Sequence, residues 1–122
     1  MLAEFTLPFP PSVNGYWRSY KGRQILSKKA REYKKAVSLE MLKNGHSGKN
    51  IHKRLSVCLE LYPPSRAKRD VDNYIKSTLD AITGTKFWTD DSIIDHLCIH
   101  RKEVIKKGKI KVKVYEAAHS VE

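Results

Sequence analysis

The sequence has little of what would place it in several large protein classes. Its two cysteines, Cys58 and Cys98, stand in apolar segments without a Cys-x-x-Cys spacing, too few for a disulfide framework and wrongly spaced for a redox motif. No run approaches the roughly 18 consecutive apolar residues of a membrane span. Met1-Leu2-Ala3-Glu4-Phe5 lacks the basic stretch and apolar segment of an export signal, so the expectation is a cytoplasmic protein with no membrane partner. Internal repeats and low-complexity linkers are absent too. A chain of 122 residues has the length of one domain of about 100 to 150 residues, and residues 1–122 read as a single unit.

The most telling shortage is of acid. Against 24 Lys and Arg stand 13 Asp and Glu, for a formal charge of +11, a balance suited to a polyanion whose phosphates release counterions when neutralised. A merely soluble basic surface is the bland alternative. The distribution argues for the first reading. Between Pro63 and Asp91 five bases (Arg66, Lys68, Arg69, Lys76, Lys86) meet five acids (Asp70, Asp72, Asp80, Asp90, Asp91), so the whole net charge lies outside this segment. A neutral island of aspartates inside a cationic frame is what metal-assisted phosphate chemistry requires.

Periodicity predicts an α+β domain in the order βαβαββ, a mixed sheet packed by two helices. Leu2 to Phe9 reads as a strand ended by Pro8, Pro10 and Pro11. Ser12 to Leu26 reads as a loop of interleaved aromatics and bases, fit to stack on nucleotides and meet phosphates or simply to pack as a surface loop. Ser27 is the expected N-cap of a helix to about Lys43, buried through Ala30, Tyr33 or Lys34, Val37 and Met41. Leu55, Val57, Leu59 and Leu61 alternate as a strand. A second helix is expected from near Asp72 to near Gly84, burying Val71, Ile75, Leu79 and Ile82. A strand from Ile93 to Val104 and a final one through Ile110, Val112 and Val114 are expected to form an antiparallel hairpin over the turn at Lys106 to Lys109.

On the second helix Asp72, Lys76 and Asp80 form a row along the edge of the buried stripe, with Asp70 just before the helix and Asp91 just before a strand. Clustered carboxylates suit Mg2+, which takes oxygen ligands and leaves positions for water and phosphate. The competing structural reading is that Asp72 caps the helix, that Lys76 pairs at i,i+4 with Asp72 or Asp80, and that Asp90 and Asp91 are a solvated turn. An EF-hand beginning at Asp70 fails, with Ile75 where Gly and Ala81 where Glu should stand. His96, Cys98 and His100 share one face of a strand and are of zinc-ligand type, but three on one strand splay too widely without help from elsewhere.

Two blocks then carry a resemblance. One is Leu7-Pro8-Phe9-Pro10-Pro11-Ser12-Val13-Asn14, continuing through Tyr16-Trp17-Arg18 to Gly22-Arg23. The other is Arg69-Asp70-Val71-Asp72-Asn73, then Lys76, Asp80-Ala81-Ile82 and Phe87-Trp88-x-Asp90-Asp91. Together they resemble the RusA family of Holliday junction resolvases over most of the chain, with no alignable motif from about residue 42 to 54. The resemblance implies a homodimeric endonuclease of DNA recombination and repair that cuts four-way junctions by paired nicks, with Mg2+ as cofactor and Mn2+ as a substitute. It places metal ligands at Asp70, Asp72 and Asp91, a catalytic lysine at Lys76, and DNA contacts at Val13, Asn14, Gly15, Tyr16, Arg66, Lys68, Arg69 and Asn73. The implied chemistry is in-line attack by a metal-activated water, leaving a 5′-phosphate and a 3′-hydroxyl. Two other classes compete. A non-catalytic architectural protein binding branched DNA would have no reason to gather five acids. An Asp-x-Asp phosphatase would want an apolar strand before Asp70, where Arg66-Ala67-Lys68-Arg69 stands.

Overall fold

In the computed structural model, residues 1–118 are described. The elements are β1 (Ala3–Leu7), β2 (Trp17–Tyr20), β3 (Arg23–Leu26), α1 (Lys28–Lys43), β4 (Leu55–Tyr62), α2 (Ile75–Gly84), β5 (Ile94–Arg101) and β6 (Lys109–Glu116). Short 3-10 turns at Val13–Gly15, Val71–Tyr74 and Asp91–Ile93 lead into β2, α2 and β5 in turn. The fold is α+β: a mixed four-stranded sheet ordered β1-β6-β4-β5, with a separate β2-β3 ribbon.

The alternation read from the sequence decides which face of the sheet is covered. Ala3, Phe5 and Leu7, Leu55, Val57, Leu59 and Leu61, and Ile110, Val112 and Val114 are all buried, and they share one core with Tyr33, Val37 and Met41 of α1 and Leu79 and Ile82 of α2. The intervening residues, Cys58 and Glu60 of β4 and Lys111 and Lys113 of β6, point to the other, half-exposed face. Ser27 caps α1 as expected, its hydroxyl accepting from the Ala30 amide at 3.2 Å. The α2 stripe lies slightly round from its expected position. Leu79 and Ile82 are buried with Tyr74, Thr78 and Ala81, while Val71 and Ile75 are only half-buried, because Val71 to Tyr74 is wound as a 3-10 turn, whose fewer residues per turn rotate the first turn relative to the rest.

The expected terminal hairpin does not form. β6 lies between β1 and β4, antiparallel to both, and β5 pairs in parallel with β4 at the sheet edge. The reason is in the side chains. β6 buries Ile110, Val112 and Val114 and belongs at the centre, whereas β5 is exposed from Asp95 to Cys98 and again at His100 and Arg101. The β4–α2–β5 crossover that results carries every aspartate of the neutral island. The supposed loop after Ser12 also contains a ribbon: Lys21 and Gly22, at φ 48° and 73°, make the two-residue turn that matches strand twist.

Candidate active site

The acidic segment hangs between the end of β4 and the start of β5 and is pinned at both ends. At its start, the Arg101 guanidinium donates to the Arg69 carbonyl, one residue before Asp70. At its end, Phe87 and Trp88 are fully buried, and the Trp88 indole donates to the Thr83 hydroxyl at 2.6 Å. Segment 48–51, for which the sequence offers no motif, runs beside residues 85–89. The Asn50 amide donates to the Lys86 carbonyl at 2.7 Å, that of Ile51 to Phe87 at 3.0 Å, and that of Thr89 back to Ile51 at 3.0 Å. This brace and the two buried aromatics fix the chain entering Asp90 and Asp91.

Along α2, Lys76 pairs with Asp80 at 3.4 Å. Asp80 also accepts a 2.9 Å hydrogen bond from the Tyr16 hydroxyl, and Tyr16 is only 1% exposed. The sequence marks Asp80 through its place in the row and in the second block, but offers no signal for this contact across 64 residues. Asp91 stands against the same pair. Burial raises the pKa of its carboxyl, the Asp90 and Asp80 carboxylates raise it further, and Lys76 opposes them. Asp90 moves the other way, chiefly because its carboxylate accepts from Asp91.

The structural alternative for Asp72 fails. The residue at the cap of α2 is Tyr74, with no side-chain cap bond, and Lys76 is engaged by Asp80, not Asp72. Among the described residues neither Asp70 nor Asp72 accepts a side-chain hydrogen bond, and both are exposed. They stand on a turn at the mouth of the site with their oxygens free. The three expected ligands are not drawn onto one centre, however. Among the described residues, the set of three such side chains whose ligand atoms all lie within 4.8 Å of one another is Cys58, Cys98 and His100. Asp70 and Asp72 flank Val71 at the start of the turn before α2, and Asp91 opens the turn before β5, so the three carboxylates come from two separate short elements. As a donor set they are hard oxygens, free at Asp70 and Asp72 and electrostatically crowded at Asp91, which fits a hard divalent cation.

The two sequence blocks meet at a 310 Å³ recess lined by Ser12, Asn14, Lys68, Arg69, Asp70, Asn73 and Tyr74. Asn14 and Gly15 are exposed there and Val13 is half-buried. Tyr16 is the exception among the expected DNA contacts, since its buried ring cannot stack on a base; Trp17 and Tyr20, 46% and 50% exposed, are the free aromatics. Arg69 is partly committed as well. Its guanidinium donates to the Ser65 carbonyl at 2.9 Å and lies 5.6 Å from the Phe9 ring centre. Arg66 and Lys68 remain exposed, and Arg66 joins Arg69, Arg101 and Lys102 around a neighbouring 280 Å³ recess.

A profile of the family described as Endodeoxyribonuclease RusA matches residues 8–115. The chain belongs to the RusA family. Proteins named crossover junction endodeoxyribonuclease RusA from Escherichia coli strain K12 and Shigella sonnei strain Ss046 are each 32% identical over 111 residues, spanning 91% of this chain and 92% of theirs. One from Enterobacteria phage 82 is 31% identical over the same lengths. RusA family members are enzymes that hydrolyse DNA, and both blocks of the resemblance lie within the matched span apart from Leu7. No helix of this member is long and apolar enough to cross a membrane among its described residues.

Proposed function

We propose that this chain is a Mg2+-dependent, structure-specific endonuclease that resolves four-way DNA junctions by paired symmetric nicks, acting as a homodimer in recombination and repair. The observation that carries the reading is that the exposed carboxylate of Asp70 borders the basic recess at which both sequence blocks meet, on the segment that leads through Asp72 into the helix carrying the Lys76–Asp80 pair. The relatives' shared name, crossover junction endodeoxyribonuclease, supplies the substrate.

In this reading Asp70, Asp72 and Asp91 hold the Mg2+, which when bound polarises a phosphoryl oxygen and eases deprotonation of the attacking water. Lys76 lies beside the phosphate and stabilises the charge that develops on it, an effect greatest in the transition state. Asp80 keeps the Lys76 ammonium aimed, and Tyr16 keeps Asp80 in place. Val13, Asn14 and Gly15, with Arg66, Lys68, Arg69 and Asn73, seat the backbone around the recess, where exposed cations gain from counterion release. Two such sites related by a two-fold axis match the approximate two-fold symmetry of an open junction.

The test is a labelled four-way junction incubated with the purified protein in Mg2+, in Mn2+ and in EDTA, with sedimentation in parallel. Paired nicks at symmetric positions, lost in EDTA and made by a dimer, are expected. Tight binding without cutting would support an architectural protein instead. A monomer nicking linear duplex equally well would leave only a general nuclease.

A further inference from the structure

The open face of the sheet carries a second group of ligands that the nuclease reading does not use. Cys58 of β4 and Cys98 of β5 are direct partners in the parallel register, and His100 stands two residues on, beside Glu60. All three point away from the helices. The two sulfurs and an imidazole nitrogen lie within 4.8 Å of one another. Cys98 and His100 are exposed and Cys58 is half-buried, so the group is reachable from solvent. We propose that Cys58, Cys98 and His100 form a site for a soft divalent cation, Zn2+ in the first instance, with its fourth position open to water.

The spacing is compatible with a tetrahedral centre. Zn–S bonds of about 2.3 Å and Zn–N bonds of about 2.0 Å place neighbouring ligand atoms roughly 3.5 to 3.8 Å apart, within small side-chain rotations of the spacing present. The sequence alone puts His96 in this set. The structure replaces it with Cys58, whose contribution from a neighbouring strand removes the splay of three ligands on one strand. Glu60 does not supply the fourth ligand, because its carboxylate is held by Lys113 at 3.4 Å and Lys102 at 3.7 Å. Lys113 stands directly across from Cys58 in the β4–β6 register and brings positive charge beside the thiol. Thiolate and imidazole are soft donors that disfavour Mg2+, so this site and the carboxylate site do not compete for one ion.

A redox pair is the alternative occupant of the same thiols. Both cysteines are free thiols in the structure. A coordinated metal displaces a thiol proton outright. Bound there, the ion would fasten the edge strand β5 to β4.

The experiment is titration of the reduced, metal-stripped full chain with Co2+, followed by displacement with Zn2+. One thiolate-bound Co2+ per chain is expected, giving thiolate-to-cobalt charge-transfer and tetrahedral d–d bands that Zn2+ abolishes. Cys98→Ser, at an exposed position, should remove the charge-transfer intensity expected of two sulfurs and weaken binding by more than the roughly 10- to 100-fold typical of changes around a metal's ligands. His100→Asn should weaken it comparably. Asp72→Asn should keep the bands, and Cys98→Ser should still cut a junction in Mg2+. Absence of the bands in the wild type, their persistence unchanged in both ligand variants, or their loss in Asp72→Asn would overturn the proposal. So would a Cys58–Cys98 disulfide that forms in air and leaves Co2+ unbound after reduction.

Discussion

The two faces of the β4–β5 pair present ligands in opposite ways. On the open face, Cys58, Cys98 and His100 stand on adjacent strands, and the ladder sets their spacing before any ion arrives. On the helix face, Asp70 and Asp72 share one short turn and Asp91 stands on another, and their relation depends on the Arg101 tie, the brace of residues 48–51 and the buried Phe87 and Trp88. A sheet fixes ligands by its own geometry, whereas turns borrow theirs from packing elsewhere. Distant substitutions should therefore disturb the acidic site and leave the sulfur site unmoved.

The largest expected effect comes from Asp72→Asn. The carboxylate has no partner to lose among the described residues, so fold and junction binding stay and cleavage goes; a gel assay of binding and nicking on the same samples reads both. A variant cutting at the wild-type rate in Mg2+ would remove Asp72 from the site. Next is Trp88→Ala. Emptying a fully buried indole costs about 3 to 5 kcal/mol, read as a lower urea midpoint at unchanged slope. Because Trp88 anchors the approach to Asp91, nicking per folded molecule should also fall, while Co2+ uptake at the sulfurs should not. Equal damage to both sites would erase the contrast between them.

Lys76→Ala should come third, raising the cleavage barrier by about 2.7 to 4 kcal/mol if it acts as a transition-state donor, with far less loss of junction affinity. Rate and affinity falling together would make Lys76 a plain phosphate contact.

Legibility in the sequence divides along the same line. Elements with a buried face announce themselves: the β4 alternation and the α1 stripe hold residue for residue, because burial imposes a period. Strand pairing does not. Period two says which face of β6 is buried but not which neighbours it takes, and its central place between β1 and β4 depends on the exposure of β5. The β2–β3 ribbon is hidden for a related reason: Trp17 to Tyr20 is exposed throughout, so no hydrophobic period marks it, and its signal is the Lys21-Gly22 turn. For the proposed site, Asp70, Asp72, Lys76 and Asp91 come from the motif, and the Lys76 pairing with Asp80 is one of two spacings the sequence leaves open. Contacts across the fold are not readable. Tyr16 to Asp80 spans 64 residues, and Cys58 joins Cys98 and His100 only through a parallel register.

Tyr16→Phe carries the smallest expected effect and the sharpest test of how the acidic site is built. The substitution keeps the buried ring and removes only the hydroxyl that donates to Asp80 at 2.9 Å. A hydrogen bond to a charged group contributes about 1.5 to 3 kcal/mol, and the lower end applies because Asp80 keeps Lys76 at 3.4 Å as a second partner. Stability should thus drop slightly, and the cleavage rate should drop because Asp80 no longer holds the ammonium in one place. Loss of rate alone does not separate that route from a general loosening of the fold. The double variant Tyr16→Phe with Lys76→Ala does. If Tyr16 acts through Asp80 on Lys76, removing the lysine leaves nothing for the hydroxyl to aim, and the second substitution should add almost no further rate loss. If the two losses simply add, the hydroxyl supports the fold and the chain from Tyr16 through Asp80 to Lys76 is structural only.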